Sequence, residues 1–352
     1  MIFKPQKKED NFSNFESKEF YESIASYVMN EQLDNGVIPS NKDGSFDPWD
    51  FIESITALNF LRSGIESKKA FRWLKDNQNS DGSWYSKYSS EGEPVEKNKP
   101  THFSSYISVG ILHHYKIFLD KEFLLEMWPS VKSAINFSIS NQTKEGTIPW
   151  SVDEHNFIEK DYLITGSSSI LKGLECALAI VKILDIQVNE TNWHDSYISL
   201  SNALRNPREL FDLQKDRSNF SMDSYYPILS GCLDDSEIKE AVNKTLKDFY
   251  IDTLGIKCVK EEPWITVAET NEFVIALLIA KEKELAKKIL IESIQISDKN
   301  NIPYMGWQYK ENIFWPDEKP TWTAAALILA ADALFNFTDA STLFLVNQSD
   351  FY

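Results

Sequence analysis

The chain has 352 residues, of which 42% are hydrophobic and 25% charged, close to globular averages. This composition excludes a disordered, collagen-like or low-complexity chain. Its 36 basic and 53 acidic residues give a formal net charge of −17, which argues against nucleic acid and anionic membrane surfaces as partners.

The N-terminal sequence and the cysteines predict the compartment. MIFKPQKKEDNF lacks the apolar stretch of a signal peptide, and no apolar run reaches the roughly 18 residues that a membrane-spanning helix needs. The three cysteines are widely separated and form no metal-ligand motif. We therefore expect a cytoplasmic protein with no disulfide, no membrane partner, no metal and no cofactor, and we leave its oligomeric state open.

Helical periodicity extends over almost the whole chain. More polar helices alternate with more apolar ones, and a polar and an apolar member together form a hairpin. In chain order, the predicted helices cover 17–31, 48–63, 66–77, 103–119, 121–140, 166–185, 190–205, 223–233, 236–249, 266–281, 282–296 and 320–337.

A short pattern recurs where a polar helix ends and a long connection begins. A glutamine is followed by two to three intervening residues, then by a glycine and by an apolar or tryptophan residue. The copies are EQLDNGVIP (31–39), NQNSDGSWY (77–85), NQTKEGTIPW (141–150) and a degenerate NNIPYMGW (300–307).

The lengths of the connections predict the architecture. Connections from a polar to an apolar helix run to roughly 15–25 residues, whereas the others often have about 2–5. Six such hairpins favour an all-α (α/α)6 toroid, with six apolar inner helices inside six outer ones. An open α-solenoid is the competing layout, but six pairs can close a ring and neither end resembles a polar cap. We expect one domain over 1–352, with peripheral tails at 1–15 and 339–352.

Most tryptophans fall on the face that the long connections form. Of the ten, the seven on this face are Trp49, Trp84, Trp150, Trp264, Trp307, Trp315 and Trp322. Aromatic faces stack on the C–H-rich side of sugar rings, and indole N–H groups donate to hydroxyls. The set predicts a sugar-binding cleft, although any one of these side chains could instead anchor its loop on the barrel.

The start of the first inner helix carries three carboxylates. Asp47, Asp50 and Glu53 follow one another at three-residue intervals and therefore share one stripe of the helix. Asp47 also stands directly before a proline, where a helix N-cap is expected. The side chain of Asp50 leans toward the helix N-terminus and hence toward the predicted cleft.

Two further carboxylates mark the start of the fifth inner helix. Glu269 and Glu272 stand three residues apart, although Thr266 and Glu269 also match a capping box. In a ring of six hairpins, the starts of the first and fifth inner helices face each other across the mouth. Two carboxyl groups across a sugar-sized gap can act as general acid and as general base or nucleophile.

These patterns give a set of candidate site residues. The predicted catalytic pair is Asp50 and Glu269, with Asp47 and Glu272 as alternatives and the assignment of acid and base left open. The predicted substrate-binding residues are Trp49, Trp84, Trp150, His102, Asp223, Tyr225, Tyr226, Trp264 and Trp322.

Two resemblances to known families follow from these motifs. NQNSDGSWY resembles the QW-type repeat of terpene cyclases and protein prenyltransferases, which are also α/α toroids; the nearest acidic motif here, LDDSE at 233–237, has the wrong spacing for their chemistry. A longer resemblance is to a family that is often labelled prenyltransferase and is similar to α-endomannosidases acting on methylated mannose polysaccharides. The shared motifs are DPWDFIE (47–53), WLKDNQNSDGSW (73–84), LITGSS (163–168), FSMDSYYP (220–227), WITVAETNE (264–272) and TWTAAALILAADAL (321–334).

The longer resemblance implies a glycoside hydrolase with an (α/α)6 fold that acts on an α-linked oligo- or polysaccharide. The expected substrate is an α-mannoside that the enzyme cuts internally, with a methylated mannan as one example. The expected mechanism uses two carboxylates and inverts the configuration of the anomeric centre. Two alternatives stay open: a terpene cyclase or prenyltransferase-like enzyme, which needs diphosphate and Mg²⁺, and a carbohydrate-binding toroid without catalysis.

Overall fold

The computed structural model of the chain describes residues 2, 4–5, 14–158, 160–186 and 190–351. Within these ranges it is dominated by helices, and no described helix is both long enough and apolar enough to cross a membrane. The outer helices are α1 (Lys18–Asn30), α3 (Gly64–Asp76), α5 (Lys121–Ser140), α7 (Glu190–Arg205), α9 (Asp235–Asp248) and α11 (Lys283–Ile294). The inner helices are α2 (Pro48–Phe60), α4 (Thr101–Phe118), α6 (Ile164–Leu184), α8 (Met222–Leu229), α10 (Val267–Ile279) and α12 (Thr321–Phe335), and a short α13 (Gln348–Phe351) follows.

The inner helices form a closed ring. Each packs against the next from α2 to α12, and α12 packs in turn against α2 and α1. The two kinds of helix differ as the sequence predicts: α6 is buried on every side from Thr165 to Val181, whereas α9 buries only Val242 and Thr245. The all-α (α/α)6 toroid is therefore confirmed, and the open solenoid is wrong because the last hairpin contacts the first.

The repeated glutamine acts as a clamp between neighbouring outer helices. The side-chain amide of Gln78 donates to the carbonyl of Gly82, 2.9 Å away in its own turn, and to that of Ser130, 3.0 Å away on α5. Gln32 and Gln142 make the corresponding pairs of bonds at 3.0 Å, from α1 to α3 and from α5 to α7. The pattern is therefore a structural device that closes a turn and fixes it to the next hairpin.

The close approach of this turn to α5 also requires the glycine of the pattern. Gly82 has a φ of +93°, and a Cβ there would lie 2.2 Å from the carbonyl oxygen of Ser133. The degenerate copy has no such glutamine. Its turn is closed by the carboxylate of Asp298, which accepts the backbone N–H groups of Asn300 and Ile302.

Short antiparallel strands occupy the long connections that precede the inner helices. They are β1 (Lys87–Tyr88), β2 (Pro94–Glu96), β3 (Lys99–Pro100), β4 (Ser151–Val152), β5 (Tyr250–Ile251), β6 (Gly255–Ile256), β7 (Trp264–Thr266), β8 (Gly306–Gln308) and β9 (Ile313–Phe314). The largest sheet has the order β7–β8–β9, with Trp264 opposite Gln308 and Thr266 opposite Gly306. Since β7 runs directly into α10, this sheet fixes the start of the helix that carries Glu269.

The segment after α12 closes the far end of the barrel. Leu343 and Gln348 are buried, and the backbone N–H of Gln348 donates to Oε1 of Glu175 on α6 at 2.8 Å. The peripheral tail predicted for 339–352 is therefore wrong for these residues, because the chain turns back across the ends of the inner helices. The tail predicted for 1–15 lies largely outside the described residues.

Candidate active site

The six inner helices enclose a cavity below their N-termini. The space in it that a water-sized molecule can reach is about 30 Å³. All six helices contribute to its wall, from Trp49 in the first turn of α2 to Leu329 on α12, and Phe344 of the C-terminal segment also lines it. The wall combines aromatic and aliphatic carbon with a few polar groups, as is common in ligand-binding sites.

Five carboxyl groups meet at the mouth of this cavity. Glu53 on α2 is 6% exposed and Glu269 on α10 is 9% exposed, while Asp47, Asp50 and Glu272 are partly exposed. Within the described ranges, none of the five forms a salt bridge with a Lys, Arg or His. The structure therefore brings together the two stripes that the sequence singled out, without a compensating cation.

Asp47 and Asp50 have different environments on α2. Asp47 is the N-cap, and its Oδ1 accepts the backbone N–H of Asp50 at 2.9 Å, so the capping role predicted for it is confirmed. Burial, followed by the charges of Asp47 and Glu53, raises the pKa of Asp50 well above its usual range. Asp50 thus keeps its proton to a higher pH than an ordinary aspartate does.

Glu269 and Glu272 also differ, although they are one turn apart. Tyr225 donates its hydroxyl to Oε2 of Glu272 at 2.6 Å, and Tyr226 donates to Oε1. Burial, together with the charge of Glu269, raises the pKa of Glu272 to about 8. Glu269, by contrast, has a buried Oε2 with no hydrogen-bond partner. Both oxygens of Glu272 are therefore held by tyrosines, whereas Glu269 keeps one oxygen available.

The capping box suggested for Glu269 is wrong. Thr266 occupies the N-cap position of α10, but its side chain makes no capping bond, and its buried Oγ1 has no partner. The strand β7 holds this end of the helix instead, through the pairing of Thr266 with Gly306. Glu269 is therefore not needed to cap its own helix.

Three aromatic rings pack against one another beside the carboxylates. The imidazole of His102 lies 4.1 Å from the indole of Trp150 in a stacked arrangement and 4.8 Å from that of Trp49 in an edge arrangement. His102 is fully buried, and burial lowers its pKa to about 3, so it is neutral. His102 therefore packs between the two tryptophans, and the hydroxyl-binding role that the sequence predicted for it stays a prediction.

The other predicted binding residues fall into two groups. Trp84 is fully buried and donates its indole N–H to the carbonyl of Leu74 at 2.9 Å, so it anchors its loop and has no free face for a sugar. Tyr225 is also fully buried, and it donates its hydroxyl to Glu272. In contrast, the partly exposed residues are Trp49, Trp150, Asp223, Trp264 and Trp322.

Asp223 and Trp264 are held by neighbouring groups at the mouth. Asp223 accepts the hydroxyl of Thr165 and lies 3.3 Å from Nε of Arg217. Trp264 donates its indole N–H to the carbonyl of Trp315 at 2.6 Å, and the two indoles meet edge to face at 5.1 Å. These contacts fix the side chains without burying them completely.

Sequence reasoning missed two residues of the cavity wall. Tyr106 lies one turn after His102 on α4, and its ring is 5.5 Å from that of Trp49. Lys172 is buried on α6 and lines the lower part of the cavity. A lysine in an otherwise apolar inner helix was the available signal for Lys172, whereas nothing local distinguishes Tyr106 from a core tyrosine.

Comparison with known proteins identifies a curated relative along most of the chain. The sequence is 33% identical over 320 residues to the MMP endo-(1,4)-3-O-methyl-alpha-D-mannosidase of Mycolicibacterium hassiacum, and the match covers 91% of this chain and 87% of that protein. No protein-family model matches the sequence.

Solved structures share the fold. A wild-type glycosidase superposes with a TM-score of 0.72 at 10% identity, covering 94% of this chain and 99% of that chain. The GH63 mannosylglycerate hydrolase of Thermus thermophilus gives a TM-score of 0.66 at 11% identity, covering 90% and 99%. A sugar epimerase from a ruminal bacterium gives 0.68 at 12% identity, covering 90% and 98%. Identities this low establish the architecture alone.

Proposed function

The chain belongs to the family of the MMP endo-(1,4)-3-O-methyl-alpha-D-mannosidase and is a glycoside hydrolase, and on this premise we propose that it cuts internal α-(1,4) linkages of an O-methylated mannose chain. The observation that carries the proposal is the group of uncompensated carboxyls at the cavity mouth. Glycosidic cleavage by two carboxyl groups requires one of them to stay protonated near neutral pH and the other to stay ionised.

We assign the general acid to Asp50. Its raised pKa keeps a proton on the carboxyl group at the pH where an ordinary aspartate has lost it. In the proposed step this proton passes to the glycosidic oxygen while the bond from that oxygen to the anomeric carbon breaks. Asp47 remains beside Asp50 as the helix cap, and its negative charge helps to keep Asp50 protonated.

We assign the general base to Glu269. Its unpartnered Oε2 is free to accept a proton from a water molecule, whose oxygen then bonds to the anomeric carbon from the face opposite to the leaving group. This single displacement inverts the anomeric configuration. Glu272 stays with its two tyrosines, which makes it the weaker candidate for base.

Partly exposed aromatic side chains support the sugar-binding part of the proposal. Trp49 and Trp150 flank the carboxylates and are held in place by the ring of His102. Trp264 and Trp322 stand at the starts of α10 and α12. Stacking on these faces would orient the sugar ring, with Asp223 available to hydroxyls.

Some proposals rest on the sequence alone. We propose that 1–352 acts as one catalytic domain, in the cytoplasm and on a polysaccharide, with no nucleic-acid or membrane partner. The net charge of −17 supports the last point, because phosphate-rich surfaces repel an acidic protein.

A substrate panel tests the proposed reaction. The enzyme is incubated with O-methylated α-(1,4)-mannose oligosaccharides, their unmethylated counterparts and α-glucan oligosaccharides, and mass spectrometry follows the products. We expect fragments of intermediate size from the methylated mannose chains, and an inverted anomer as the first product in NMR spectra. Release of single sugars from one chain end would contradict internal cleavage, and turnover of glucans alone would contradict the choice of sugar.

A further inference from the structure

A second groove lies on the rim of the barrel mouth. It runs between residues 39–44, in the connection before α2, and residues 317–321, which lead into α12. Tyr27 of α1 and Tyr304 line it as well. Its volume of about 550 Å³ lies within the range of ligand-binding clefts.

The groove adjoins the candidate active site. Thr321, the first residue of α12, donates its hydroxyl to the carbonyl of Pro39 at 2.9 Å and accepts the hydroxyl of Ser54 on α2 at 2.9 Å. These bonds join the two walls of the groove next to the inner-helix starts that carry Trp49 and Trp322. A chain leaving the mouth between α12 and α2 therefore enters the groove directly.

The groove is lined mainly by hydrogen-bonding side chains. The carboxylates of Glu31, Asp317 and Glu318 line it without a salt-bridge partner in the described part of the chain. Lys42 supplies an ammonium group, and a second lysine in the lining, Lys319, is paired with Asp298. Ser40 is 2% exposed, and its buried hydroxyl in the groove wall has no hydrogen-bond partner.

This mixture of groups selects among ligand classes. The excess of carboxylates over ammonium groups in the lining disfavours a phosphate-bearing ligand by repulsion. Acceptors next to an ammonium and an unpaired hydroxyl suit a neutral ligand rich in hydroxyl groups, because each hydroxyl both donates and accepts.

We propose that this groove binds the sugar units of the substrate that lie distal to the cleaved linkage, an inference that rests on the proposed function. Sugar units in the groove are remote from the reacting bond. They therefore add transition-state binding only for chains long enough to reach from the mouth to Asp317 and Glu318.

A charge-removal variant tests the groove. The substitutions Glu31→Ala, Asp317→Ala and Glu318→Ala are combined in the full-length enzyme. We expect kcat/KM to fall about tenfold on a long methylated mannose oligosaccharide and to stay unchanged on the shortest one that the enzyme cleaves. The matched control removes three exposed carboxylates from outer helices, with Glu122→Ala, Asp195→Ala and Glu240→Ala, and should leave both values unchanged.

The possible outcomes distinguish failure of the groove proposal from failure of the proposed function. Unchanged kcat/KM on the long substrate, or an equal loss on both lengths, overturns the groove site while leaving the proposed function in place. An equal length-dependent loss in the control overturns it as well, because the effect would then follow net charge. A wild-type enzyme that cleaves neither length overturns the proposed function, and the groove assignment with it.

Discussion

The barrel buries carboxylates at both ends, and the two sets differ in the charged groups that surround them. At the mouth, the charged groups that act most strongly on Asp50 and Glu53 are other carboxylates, and burial is the largest cause of their raised pKa values. Below the cavity, Glu175 is 1% exposed, but its Oε1 accepts from Nζ of Lys172 at 2.6 Å and from the backbone of Gln348 at 2.8 Å.

The difference separates a structural carboxylate from reactive ones. A buried charge costs free energy unless a partner compensates it, and Glu175 has Lys172 on its own helix as that partner. The mouth leaves this cost uncompensated, and burial raises the pKa values of Asp50, Glu53 and Glu272. Perturbed carboxyls of this kind in a cleft are typical of catalytic sites.

The sharpest test of this comparison removes one ionisable group at the mouth. Asp50→Asn and Glu269→Gln should each lower kcat by about 10²–10⁴-fold, because positioned proton transfer contributes that much. Neither variant should melt below the wild type, since no salt bridge is lost, a protonated Asp50 is already uncharged, and replacing Glu269 reduces like-charge repulsion. Turnover is measured together with melting temperature; wild-type turnover in both variants would move the catalytic assignment to Asp47 and Glu272.

The opposite behaviour is expected at the far end. Glu175→Gln should lower the free energy of unfolding by about 3–5 kcal/mol, because Lys172 is left as a buried charge without its partner. Activity per folded molecule should persist. Urea denaturation measures the loss, and the double variant Lys172→Met with Glu175→Gln serves as the control, since removing both charges should restore much of the stability. An unchanged unfolding midpoint in Glu175→Gln would erase the distinction between the two ends.

A third test uses the pH dependence of stability. The folded pKa of Glu272, about 8, lies above that of an unfolded glutamate, so the folded state keeps a proton that the unfolded state releases. Its contribution to stability is complete below the unfolded pKa and is lost as the pH rises through 8. Glu272→Gln should therefore show a smaller fall in melting temperature between pH 5 and pH 9 than the wild type. Parallel curves for the two proteins would show that Glu272 titrates normally.

The smallest effect is expected at Asp47. Asparagine caps helices about as well as aspartate, so Asp47→Asn should change the free energy of unfolding by less than about 0.5 kcal/mol. Loss of the Asp47 charge should lower the pKa of Asp50 and shift the alkaline limb of the pH–activity profile to lower pH. Asp47→Ala is the companion variant, and it should also lose about 0.5–2 kcal/mol of stability through the missing cap. An alkaline limb that does not move in Asp47→Asn would separate Asp47 from the acid.

The fold could be predicted from the sequence because its determinants are local and repeated. The apolar surround of α6 and the one-sided pattern of α9 distinguish inner from outer helices by periodicity alone. The alternation of long and short connections then places all inner-helix starts on one face. The sequence did not reveal that the repeated glutamine is a clamp, because its acceptors, such as Ser130, are far along the chain.

The site was predicted only in part, for a physical reason. The carboxylates occupy helix starts, where direction follows from helix geometry, and the structure gathers them at one mouth. Trp84 sits in a loop, where sequence does not determine whether the ring turns toward the cleft or the core. The same holds for His102, whose burial depends on two tryptophans from other segments, and for Gln348, whose partner Glu175 lies on α6.

The C-terminal segment has a consequence for how a polymer is processed. Since Phe344 lines the lower part of the cavity and Gln348 is bonded to Glu175, the described residues leave the barrel open at one end and closed at the other. A sugar chain that enters by this mouth therefore cannot thread through the ring, and both fragments leave by the side on which the chain arrived.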